Sequence, residues 1–94
     1  MTDPTLRERL ERLLVDSPDL YAQLCDAGLV PRDDDALAPS HLETARVVRT
    51  LVQELEVNWA GVEIVLRMRT ELLGTRRQLD ELAAVLRRLQ TERG

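Results

Sequence analysis

The chain contains no lysine and no phenylalanine, and its 94 residues include one cysteine, one histidine, one tryptophan and one tyrosine. Each shortage excludes something. With Cys25 alone, no disulfide can close within the chain and nothing signals an oxidising compartment; a small apolar residue on a buried helix face is the expected role. Aromatics make up 2% of a chain that is 44% hydrophobic, so the core must be aliphatic. One histidine, one cysteine and no glycine-rich phosphate loop leave no convergent acid–base or nucleophilic set, so neither an enzyme nor a bound cofactor is expected. His41 reads as a residue near a helix cap. Asp33, Asp34 and Asp35 are consecutive, so their side chains diverge. A calcium loop instead alternates its ligands around a glycine and closes on a glutamate, so no metal is expected. No run approaches the roughly 20 apolar residues of a membrane span. The opening MTDPTLRERL has no apolar signal core, and a cytoplasmic protein is expected.

Leucine, alanine, glutamate and arginine dominate, which favours helix. The length suits one domain or less, marginal alone because a small chain buries proportionally little surface. The formal net charge of −4 is unevenly spread: residues 1–38 carry four arginines against nine acids, whereas residues 39–94 carry nine arginines against eight. The excess negative charge therefore sits in the N-terminal part.

Asp3 and Pro4 form a start signal, and Leu6, Leu10, Leu13 and Leu14 follow at helical spacing, predicting a first helix to about Val15. Ser17 and Pro18 repeat the signal for a short second helix carrying Leu20, Tyr21, Leu24 and Cys25, ended by Gly28. "LVPRDDDALAP", residues 29–39, has no period and reads as a loop or degenerate hairpin. "SHLE" from Ser40 predicts a capping box between Ser40 and Glu43, with Leu42, Ala45, Val48, Leu51, Val52 and Leu55 on one stripe behind it. Asn58 reads as the next cap, opening a helix from Trp59 to about Arg93. At about 1.5 Å per residue that helix reaches roughly 50 Å, more than the rest of the chain can cover.

Its apolar positions say what covers it. Val65, Met68, Leu72, Thr75, Leu79, Leu82, Leu86 and Leu89 alternate by three and four, a heptad seam broken only by Thr75. A coiled-coil homodimer is the expectation, with Val65, Met68, Leu72, Leu79, Leu82, Leu86 and Leu89 as its interface; the alternative is a helix that bends at Gly74 and folds back on its own domain. Trp59 is expected to pack over the end of the third helix, with small Gly61 letting a neighbouring backbone approach. The fold expected is all-α: a small degenerate winged helix-turn-helix-like head, residues 1–57, then a long dimerisation helix, residues 58–94.

That outline also belongs to DNA-binding regulators, but the charges oppose it. The helix that would enter the major groove, residues 17–27, carries Asp19 and Asp26 and no basic residue, and six acids face Arg32 alone between Asp16 and Asp35. Phosphate neutralisation supplies most nonspecific affinity, so such a face repels DNA. Arg46, Arg49, Arg67 and Arg69 lie on outer helix faces, where pairing with Glu43, Glu63 and Glu71 is expected.

The turn Gly28, Leu29, Val30, Pro31, the helix end Arg49, Glu54, Leu55, and the run Val57, Asn58, Trp59, Gly61, Val62 together resemble the MerR-like group, and within it the CbpM-type chaperone modulators. The resemblance spans about two thirds of the chain. It implies a protein that binds and inhibits the J domain of a DnaJ-like, curved-DNA-binding co-chaperone. Because a J domain uses a basic helix to reach its chaperone partner, an acidic head would mask it, with Asp19, Asp26, Asp33, Asp34 and Asp35 as the partner-binding residues. The alternatives are a MerR-type transcriptional regulator of heat-shock genes and a subunit that pairs with a different protein. Neither a membrane nor a small-molecule substrate is implied.

Overall fold

The computed structural model describes residues 4–93. Their regular structure is helical: α1 Leu6–Leu13, α2 Pro18–Asp26, α3 Pro39–Arg49 and α4 Trp59–Arg93, with a single 3-10 turn at Asp34–Ala36 and a π-helical turn at Thr50–Glu54. No strand occurs among the described residues, so the acidic segment is a loop around a 3-10 turn and not a hairpin. No helix among them is long and apolar enough to cross a membrane. The chain divides into two compact units, Met1–Asn58 and Trp59–Gly94.

The first unit is built on an aliphatic core. Leu10 and Leu14 at the end of α1, Leu20 and Leu24 of α2, Val30, and Leu42, Ala45 and Val48 of α3 are all buried. Burying a leucine or valine side chain contributes about 1.5–3 kcal/mol each, and here no aromatic ring shares the task. Cys25, expected inside, is half-buried.

Helix starts follow proline and side-chain caps, at positions that differ from the expected ones. Asp3 lies outside the described residues. The N-cap of α1 is Thr5, whose hydroxyl accepts from the Glu8 amide at 3.2 Å. Pro18 opens α2 as expected, but the Ser17 hydroxyl does not cap it; it accepts a hydrogen bond from the Gln53 side-chain amide and so ties the start of α2 to the π-helical turn. The chain leaves α2 through Gly28 at φ +75°, which lets the amides of Leu29 and Val30 donate back to the Leu24 carbonyl at 2.9 and 3.3 Å.

At α3 the Ser40–Glu43 box does not form. The helix begins at Pro39, and the Ala38 amide donates to His41 Nδ1 at 2.9 Å, so His41 takes the reciprocal part that a glutamate or glutamine usually plays. After Arg49 the ladder widens: Leu55 donates to the Thr50 carbonyl at 3.1 Å and Val57 to Leu51 at 2.8 Å, and Glu56 is forced to φ +55°. A non-glycine residue there costs on the order of 1 kcal/mol. The wider turn rotates the stripe, leaving Leu55 63% exposed, although it was expected on the same buried face as Val48.

In the second unit α4 runs unbroken through Gly74, which overturns the fold-back at that residue. A side chain at Gly74 would meet nothing within 4 Å. Trp59 is half-buried, and Val62 is this unit's one buried residue among those described. From Glu71 to Glu92 every residue is exposed except Gly74.

Candidate functional site

No group of three or more histidine, cysteine, aspartate or glutamate side chains able to hold a metal occurs among the described residues. The candidate sites are surfaces, one in each unit.

The acidic surface lies along α2 and the loop that follows it. Its five aspartates are in different states. Asp19 sits exposed in the first turn of α2, where the helix N-terminus favours a negative charge. Asp26, the last residue of α2, is paired with Arg32 at 2.5 Å. The Asp33 carboxylate caps the 3-10 turn by accepting from the Asp35 amide at 3.0 Å. Asp34 is paired with Arg7 at 2.6 Å, and Asp35 is exposed and joins neither ion pair among the described residues. Consecutive aspartates thus diverge, as their spacing demands.

Arg7 holds this surface in place. Its guanidinium donates from Nε to Asp34, from Nη1 to the Tyr21 hydroxyl at 2.5 Å, and from Nη2 to the Pro31 carbonyl at 2.9 Å. One side chain of α1 therefore fastens α2 and two points of the acidic loop, Pro31 and Asp34. Its own side chain is only 15% exposed while that of Asp34 is 72% exposed, so solvent reaches the ion pair from the Asp34 side and screens it. The Asp34 hydrogen bond raises the Arg7 pKa, burial opposes it, and Tyr21 adds to the rise. A cation whose folded pKa is raised stabilises the fold at every pH below its unfolded value, so the clamp fails only in strong alkali. Arg7→Lys keeps the charge but not the planar fork. It is expected to lower unfolding stability by about 2 kcal/mol in a denaturant titration. A loss under about 0.5 kcal/mol would show that the loop holds itself.

Nothing in the spacing around Arg7 pointed to this role, because its partners lie 14 to 27 residues away in sequence. The expected pairs of Arg46, Arg49, Arg67 and Arg69 with Glu43, Glu63 and Glu71 do not form: the ion pairs among the described residues are Arg7–Asp34 and Arg32–Asp26.

The apolar surface is the seam of α4. Met68, Leu72, Leu79, Leu82, Leu86 and Leu89 are between 51% and 70% exposed, and Val65 is half-buried. Val65, Met68, Leu72 and Thr75, with Arg69 and Glu71, line a shallow, mostly apolar groove at the seam's start. Comparison of the chain with protein-family models, with curated proteins and with solved structures finds no match.

Proposed function

We propose that this chain is an adaptor, a CbpM-type modulator that binds the J domain of a DnaJ-like co-chaperone through its acidic head and works as a homodimer joined along α4. In this reading the head is a degenerate winged helix-turn-helix whose acidic loop replaces the wing. The observation that carries the proposal is the acidic face itself. Asp19 and Asp35 stand exposed without a cation, and Asp33 uses its carboxylate only on its own turn. A face of this charge fits the basic helix of a J domain, where it would speed encounter and set register while nearby apolar groups supply affinity. The same face argues against the DNA-binding alternative, since α2 offers no basic residue to a phosphate. The unpartnered seam supports the dimer, because exposed apolar surface in one continuous stripe is what a partner helix covers.

The test is calorimetric titration of the full chain with the isolated J domain of its own organism's DnaJ-like protein at physiological salt. Micromolar or tighter binding is expected. Asp19→Asn combined with Asp35→Asn should weaken it about tenfold while leaving the Arg7–Asp34 clamp intact. Binding that survives both changes would move the site off this face, and no binding would end the J-domain reading.

A further inference from the structure

The head carries a second charged surface, opposite in sign to the first. Arg9 and Arg12 of α1 lie three residues apart on one helix face, and Arg46 of α3 joins them around a shallow groove lined also by Pro4 and Leu13. Among the described residues none of these arginines makes an ion pair, and neither do Glu8, Glu11 or Glu43 on the same two helices. Three guanidinium groups around one groove repel one another unless an anion lies between them. Arginine is also the side chain best shaped to grip a carboxylate with two donors. The groove does not end at its charges. Arg46 also borders an adjoining and largely apolar groove formed with Val47, Thr50 and Leu51, at the point where α3 passes into the π-helical turn.

We propose that these two joined grooves dock an acidic amphipathic helix of a partner protein, its carboxylates on Arg9, Arg12 and Arg46 and its apolar side chains on Val47 and Leu51. The pairing of a basic half with an apolar half selects this occupant. A helix with acids three or four residues apart presents them on one face beside its apolar stripe, matching the two arginines of α1 and the strip next to Arg46. A nucleic acid would extend past the three arginines onto a head with an excess of acids, and would leave Val47 and Leu51 uncovered. The surface is distinct from the acidic face, and the inference stands whether or not that face binds a J domain.

The experiment uses the full chain and a fluorescein-labelled synthetic helix with glutamates on one face and leucines on the other, followed by anisotropy at physiological salt. The same helix with lysine in place of glutamate and a single-stranded oligonucleotide of equal charge are the comparisons. Binding of the glutamate helix alone is expected. It should weaken about tenfold or more in the double variant Arg9→Gln, Arg46→Gln, and also in Leu51→Gln. The arginines are exposed and glutamine is a good helix former, so circular dichroism should show the double variant folded as the parent. The J-domain titration should be unchanged in it, which separates the two surfaces. Absence of binding by the glutamate helix, binding indifferent to the arginine changes, or tighter binding of the oligonucleotide would each overturn the proposal.

Discussion

Leu24→Ala is expected to lower the stability of the head by about 3–4 kcal/mol, the largest loss from any single truncation in the chain. Leu24 is fully buried, in the aliphatic core that also holds Leu10 and Leu14 at the end of α1, Leu20 of the same helix, Val30, and Leu42, Ala45 and Val48 of α3. Its position adds to the volume argument, because the Leu24 carbonyl is the acceptor on which both Leu29 and Val30 close the end of α2. A cavity at this point loosens the turn that leads into the acidic loop. Small domains have only about 5–15 kcal/mol in total, and each kilocalorie shifts the melting temperature by about 4–8 °C at this size. The variant should therefore melt at least about 12 °C lower by far-UV circular dichroism. Leu55→Ala, at a residue 63% exposed, should change stability by less than about 0.5 kcal/mol and serves as the control. Equal losses at the two positions would mean that the described core is not the one that holds the head.

How much of this was legible in the sequence depends on the kind of signal. The long helix α4 was readable from end to end, since its apolar period persists from Val65 to Leu89 and outweighs the one local signal against it, Gly74. The paired start signal Ser17–Pro18 and the stop at Gly28 also placed α2 correctly, though the cap bond went elsewhere. The start of α3 went wrong because two signals competed. "SHLE" matches a capping box, but Pro39 one residue earlier has its φ already set for a helix and no amide to lose, so the helix begins there and His41 supplies the acceptor. Leu55 went wrong for a different reason: stripe reading assumes a constant turn, and the wider turn at Thr50–Glu54 breaks that phase without any proline or glycine to announce it. The charged surfaces were legible in composition and not in geometry. Nine acids before residue 39 mark the head as acidic, but which carboxylates are already engaged depends on Arg7 and Arg32, and the arginine groove exists only because α1 packs on α3. Pairings across tens of residues leave no local trace.

Leu79→Asp should abolish self-association, because it places a charge at the middle of the apolar seam along which the dimer is proposed to form. The seam from Val65 to Leu89 runs about 36 Å along α4, roughly three and a half heptads, and Leu79 lies near its middle, 61% exposed. Most helical stability in proteins comes from packing an apolar face, and over this stretch of α4 that face lies exposed. Among the seam positions only Thr75 is polar, so a second copy laid along the stripe would bury leucine and methionine on both sides. Replacing Leu79 by aspartate puts two carboxylates into the centre of that contact, where unpaired burial of a charge costs more than the neighbouring leucines contribute. Sedimentation equilibrium at protein concentrations on the order of tens of micromolar is the measurement, with the wild-type chain expected as a dimer and the variant as a monomer. Because the change lies in the other compact unit, the head should keep its melting behaviour, and monovalent J-domain affinity should persist when avidity is lost. A wild-type monomer at those concentrations would remove the coiled coil and leave the seam for a different helix. A variant that remains dimeric would instead place the interface outside α4, and the exposed leucines would then have to be explained by a third partner.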